Sequence, residues 1–93
     1  AIFIQAHHTA GILTTLKHYP GHGSSREDTH HDLTDITYTW RSSEQLPFKR
    51  LIDSARVDLI MAGHLFDRNV DPDHPASLSK AHIQRTLRDK LGY

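Results

Sequence analysis

Residues 17–32 hold the side chains best suited to chemistry in this chain. They read Lys17-His18-Tyr19-Pro20-Gly21-His22-Gly23, then Ser24-Ser25-Arg26-Glu27-Asp28-Thr29-His30-His31-Asp32. The stretch is rich in imidazole, carboxylate and glycine and nearly free of apolar residues, so it predicts a loop and not a piece of core. Three kinds of chemistry fit it. The plainest is a solvated loop whose histidines bond backbone groups. A metal site is a second reading: His18, His22, His30, His64, Asp28 and Asp32 exceed the three or four ligands that zinc requires. Against it, His18-x-x-x-His22 spans a Pro-Gly and cannot be a helical pair, and Lys17 beside the site repels a cation. The third is acid–base work by Asp28-Thr29-His30, in which the carboxylate fixes the imidazole tautomer and raises its basicity. Such a triplet is common and decides little alone.

The elements that must position these residues follow from periodicity. Apolar residues at 2, 3, 6 and 10 predict the tail of an amphipathic helix, with Gly11 as its left-handed stop. Residues 12–16 predict a short parallel strand buried on both faces, from which the polar loop departs. Lys17 would directly follow that strand, where a cation is costly without a polar partner. Residues 32–40 read as an irregular extended crossing. Ser42 or Ser43 is placed to cap a helix, with Gln45 completing a box from Ser42 and Pro47 tolerated near the first turn. Phe48, Leu51, Ile52 and Ala55 share its apolar face. Residues 57–63 predict a second buried strand that delivers His64, and 65–76 a loop. Ser77 or Ser79 starts a last helix to about Lys90, with Ile83, Leu87 and Leu91 inward and Gly92 as its stop. His7, His8, His74 and His82 are expected on helix or loop surfaces.

Strands alternating with helices imply an α/β architecture with a parallel pair and a right-handed crossover. Ninety-three residues make one small domain, residues 1–93. A closed (β/α)8 TIM barrel takes about 250 residues. The element order therefore predicts a partial barrel, roughly two βα units plus a preceding helix. The start at Ala1 without Met and the stop just after a helix lead to the same expectation of a fragment. Apolar content of 37% predicts a modest core. Eleven Lys and Arg balance eleven Asp and Glu, which argues against a nucleic-acid or anionic-membrane partner. No apolar run approaches the roughly 20 residues of a membrane-spanning helix, and no stretch resembles a signal peptide. The absence of cysteine rules out disulfides and thiol catalysis.

These motifs together resemble a known family. Residues 17–23 followed by Asp28-Thr29-His30 are similar to the Lys-His-Phe-Pro-Gly-His-Gly … Asp-Ser-His signature of the bacterial β-N-acetylhexosaminidases of glycoside hydrolase family 3. The resemblance continues through Leu46-Pro47-Phe48 and Val57-Asp58-Leu59-Ile60-Met61-Ala62-Gly63-His64. It ends with Pro75-Ala76-Ser77-Leu78-Ser79-Lys80 and Leu87-Arg88-Asp89-Lys90-Leu91-Gly92-Tyr93.

It implies a retaining hydrolase that releases terminal β-linked N-acetylglucosamine, often from cell-wall fragments, with no cofactor and no metal. By the matching positions, Lys17 and His18 would bond hydroxyls of the sugar, and His30, supported by Asp28, would be general acid and then base. His22 would hold the loop turn, and His64 would line the pocket. The sequence departs from the signature at Tyr19 (Phe), Thr29 (Ser) and Thr34 (commonly Pro). The family's nucleophilic aspartate lies on the next strand, beyond Tyr93, and no acid of this chain matches it. The isolated chain is therefore expected to be inactive. Unpaired strand edges should make it oligomeric or swapped. The compartment stays open, the cytoplasm being favoured for a cell-wall recycling enzyme.

Overall fold

A computed structural model describes residues 1–26 and 33–93. In chain order the elements are α1 (Ile2–Thr9), β1 (Thr15–Tyr19), β2 (Thr34–Asp35), a 3₁₀ turn (Ser42–Gln45), α2 (Leu46–Asp53), β3 (Leu59–Ala62), β4 (Leu65–Phe66), a second 3₁₀ turn (Ala76–Leu78) and α3 (Ala81–Lys90). The architecture is α/β, and β1 pairs with β3 in parallel across α2, as the alternation of elements predicts. A second parallel pair joins β2 to β4, Thr34 opposite Leu65 and Asp35 opposite Phe66. That pair was hidden in sequence, because two-residue strands are too short to show any alternation. No helix among the described residues is long and apolar enough to cross a membrane.

The strand expected at 12–16 begins three residues later, and Ile12 and Leu13 are exposed. Pairing starts only where a partner exists: Thr15 faces Leu59, Leu16 faces Ile60 and Lys17 faces Met61. Just ahead of it, the Thr14 N–H donates to the Asp58 carboxylate at 2.8 Å, and the Thr14 hydroxyl donates to the same oxygen at 3.2 Å. His8 Nε2 meets that oxygen at 2.7 Å, which ties α1 to the strand start. These bonds hold the Asp58 carboxyl below its ordinary value, the Thr14 N–H contributing most.

Nor is the pair buried on both faces. Leu16, Tyr19, Ile60 and Ala62 pack against Phe48, Ile52, Ile83, Leu87 and Leu91, whereas Thr15, Lys17, Leu59 and Met61 are exposed. Helices α2 and α3 cover one side only, so burial alternates with the strand's two-residue period. Lys17 accordingly sits in solvent, and the burial cost expected for it does not arise.

Tyr19 is the centre of the core. It is fully buried, its ring meets Phe48 edge-on at 5.5 Å, and its hydroxyl donates to the His82 carbonyl at 3.1 Å. Burial pushes its phenol up to about 12, a bond with Thr86 opposing in part. A residue of the expected loop is thus structural.

Helix boundaries also differ in detail. In α1 the buried residue is Ile4, while Ile2 and Phe3 stand in solvent. Gly11 ends α1 at φ +74, as its position predicts. The box ahead of α2 closes between Arg41 and Glu44, the Arg41 N–H donating to Glu44 Oε1 at 3.0 Å, and not from Ser42 to Gln45. Ala55 lies beyond the end of α2 at φ +53, exposed and outside the apolar face.

Helix α3 is wound with the i→i+5 bonding of a π-helix. Residues five apart then stack, so His82 joins Leu87 on the inner face. His82 is 1% exposed, which corrects its expected surface position. Ser79 Oγ caps the helix by accepting the His82 N–H at 3.1 Å.

Neither ring nitrogen of His82 has a hydrogen-bond partner among the described residues. Burial lowers its pKa, and the Asp67 and Asp71 carboxylates only partly oppose that. The unfolded chain therefore binds this proton more readily than the folded one, near the ordinary 6.5. Stability is full above that value and declines as pH falls below it. Lowering pH from about 7.5 to about 5.5 should lower the urea midpoint, and His82→Phe should flatten that dependence. Equal slopes in the two proteins would show that another group titrates. The lowered carboxyls of Asp35, Asp58 and Asp71 act below 3.8, outside this window.

Candidate functional site

Of the expected site residues, Lys17, His18, His22 and His64 lie at or follow the C-terminal end of the β1–β3 pair. The register slips between Lys17 and Tyr19, so His18 forms a bulge in β1. The Lys17–His18 and Tyr19–Pro20 peptide bonds are both cis. Gly63 makes room for the bulge: a Cβ there would lie 3.2 Å from His18 Cβ and 3.1 Å from two atoms of Leu65. The Gly63 N–H donates to the Tyr19 carbonyl at 2.9 Å, extending the pairing past β3.

The turn that follows is locked from outside. The Gly21 N–H donates to the His18 carbonyl at 2.8 Å, and Trp40 Nε1 donates to the Pro20 carbonyl at 3.1 Å. Gly21 has φ +136, and a Cβ on it would lie 2.7 Å from Glu44 Cβ and 2.9 Å from Glu44 Oε2. Only glycine satisfies both the backbone angle and that approach. Trp40 and Glu44 therefore hold the turn, a role sequence spacing did not reveal, since they lie about twenty residues downstream.

The turn brings two of the expected histidines together. The rings of His18 and His22 meet edge-on at 5.8 Å. His22 Nδ1 also bonds Ser25 Oγ, whose hydroxyl reaches the His22 carbonyl at 2.7 Å. This three-residue loop back onto its own backbone is visible in sequence as a histidine and serine at i, i+3. Lys17 is exposed beside them on β1. His64 follows β3, exposed, with Nδ1 2.6 Å from Ser77 Oγ. Asp28 and His30, the expected acid–base pair, lie outside the described residues, as does Asp32. Among the described residues no group of three or more His, Cys, Asp or Glu could hold a metal ion.

Clustered polar side chains at the C-terminal end of parallel strands are the usual arrangement of an α/β active site. Residues 1–93 match the Glycosyl hydrolase family 3 N terminal domain. The chain belongs to glycoside hydrolase family 3. Curated relatives agree with that membership. A protein named beta-hexosaminidase from Tolumonas auensis is 38% identical over 94 residues, covering 98% of this chain and 28% of its own length. One of the same name from Xylella fastidiosa strain M23 is 42% identical over the same shares. The zinc-bound crystal structure of CbsA from Thermotoga neapolitana superposes with a TM-score of 0.86 at 32% identity, covering 97% of this chain and 20% of that one. This family 3 chain thus spans somewhat more than a quarter of the curated relatives it matches, and its fold in that span follows a solved structure closely.

Proposed function

We propose that this chain supplies the sugar-holding and acid–base half of a retaining β-N-acetylhexosaminidase site within a (β/α)8 barrel. In this reading Lys17 and His18 bond hydroxyls of the N-acetylglucosamine preceding the cleaved bond. His22 holds the turn, and His64 lines the pocket. His30, kept in the correct tautomer by Asp28, gives its proton to the glycosidic oxygen as the C1–O bond breaks. An aspartate on the strand after Tyr93 attacks C1 and forms the covalent glycosyl-enzyme. Water then adds to C1 while His30 takes its proton, and the aspartate departs. Most retaining glycosidases use a carboxylic acid where this site has histidine.

The observation that carries the reading is that Lys17, His18, His22 and His64 all leave the same end of one parallel strand pair. The names of the curated relatives support the substrate class. The exposed face of the pair, with Leu59 at 51% and Met61 at 49%, supports the barrel: such apolar side chains are what an interior layer would bury. The same face and the open strand edges would make the chain on its own self-associate.

The test compares two proteins. Joined to the remaining barrel strands, the segment should hydrolyse an aryl N-acetylglucosaminide and release the β-anomer first, read by NMR. Residues 1–93 alone should be inactive and larger than a monomer by light scattering. First release of the α-anomer would refute the retaining mechanism, and a clean monomer would refute self-association.

A further inference from the structure

A second cluster lies beside the site and takes no part in the proposed reaction. Ser24, Arg26, Tyr38, Thr39, Trp40 and Arg41 line a cavity of about 320 Å³. That size suits a small organic ligand and exceeds what a bare inorganic ion fills. Its walls come from two separate pieces of chain: Ser24 and Arg26 follow the His22 turn, and residues 38–41 precede the 3₁₀ turn at Ser42–Gln45.

The chemistry of the walls is one-sided. Two arginines line the cavity, no carboxylate does so among the described residues, and neither arginine makes an ion pair with a described residue. Two like charges lining one cavity raise its positive potential and favour an anion, the Glu44 carboxylate that accepts the Arg41 N–H offsetting part of it. Arginine presents a planar fork of donors matched to carboxylate or phosphate oxygens. Tyr38, 92% exposed, and Trp40 add aromatic surface beside that charge. Aromatic faces give a sugar ring apolar contact, and Ser24 and Thr39 complete the lining. The Trp40 indole is fixed by its bond to the Pro20 carbonyl, so this wall is rigid.

We infer that this cavity is a binding site for an acidic sugar, a pyranose carrying a carboxylate or a phosphate, with Arg26 and Arg41 holding the oxyanion and Tyr38 and Trp40 contacting the ring. The site goes beyond the proposed hydrolysis and does not depend on it. Because the Trp40 indole bonds the carbonyl of Pro20, occupancy would be felt at the turn that carries His22.

Trp40 is the only tryptophan of the chain, so its fluorescence reads this cavity alone. The 93-residue chain is titrated at constant ionic strength with glucuronate, glucose 6-phosphate, inorganic phosphate and glucose. The acidic sugars should give saturable changes in the millimolar range or below, and glucose should give none. The stronger of glucuronate and glucose 6-phosphate identifies the oxyanion. Arg26→Gln with Arg41→Gln should weaken that binding about tenfold or more, since bonds to charged groups are lost. Both side chains are exposed, and circular dichroism should show the variant folded. Arg26→Lys with Arg41→Lys, which keeps charge and loses the fork, should fall between. No saturation, equal binding of glucose, a response to phosphate matching that to the acidic sugars, or binding unchanged in the glutamine variant would each overturn the assignment.

Discussion

Replacing His30 by alanine, in a polypeptide that joins this segment to the remaining strands of the proposed barrel, should lower kcat/KM for an aryl N-acetylglucosaminide by about 10²- to 10⁴-fold, the usual worth of positioned acid–base catalysis. The loss should depend on the leaving group. A poorly basic phenol departs without much protonation, so its substrate should suffer least in the first chemical step. Hydrolysis of the glycosyl-enzyme still needs a base, so the intermediate should accumulate as a burst, and added azide should speed turnover by attacking C1 without needing its proton removed. Asp28→Asn should give a smaller loss, because the imidazole remains but its tautomer is no longer enforced. Activity of His30→Ala within a few-fold of the parent would remove His30 from the mechanism. A loss equal for all leaving groups and indifferent to azide would place it outside proton transfer.

Tyr19→Ala should cost about 3–5 kcal/mol of folding stability, the range for deleting a buried aromatic side chain. Tyr19 is fully buried where β1, α2 and α3 meet, with Phe48, Leu87 and Leu91 around it. Small domains have about 5–15 kcal/mol in total, so this change should leave the chain at the edge of unfolding. Tyr19→Phe keeps the ring against Phe48 and loses the hydroxyl's bonds to the His82 carbonyl and to Thr86, about 1–2 kcal/mol net. Urea unfolding at one fixed protein concentration measures both, the concentration being held because self-association would add to apparent stability. A cost below about 1 kcal/mol for the alanine variant would mean that the helices, and not the strand end, hold the core. The result bears on function because Tyr19 adjoins His18: the residue that anchors the strand end lies between one expected sugar ligand and the turn that presents the other histidine.

The relation between these two residues shows what the chain's text carries and what it leaves to folding. The periodic runs around Leu16, Phe48, Ile60 and Leu87 state the order of elements and the parallel pairing, because a buried face imposes its period on the residues that form it. The chemistry of residues 17–23, with His64 following a second apolar run, states the family and the end of the sheet at which its polar residues collect. Those properties are local, and local spacing is what a sequence records.

Contacts between distant segments decided the rest. Tyr19 reads as part of a polar loop and is the centre of the core, because α2 and α3 close over that end of β1. His82 reads as a surface residue and is buried, because i→i+5 winding turns it inward beside Leu87. His18 bulges against Gly63, and the turn after it is held by Trp40 and Glu44, which lie about twenty residues downstream. Arg26 and Arg41 are unremarkable fifteen positions apart and come to line one cavity only in the folded chain. Side-chain type and spacing were sufficient to place the chain in its family, whereas neighbourhood, set by packing across the chain, decided which residues support the strand end and its turn.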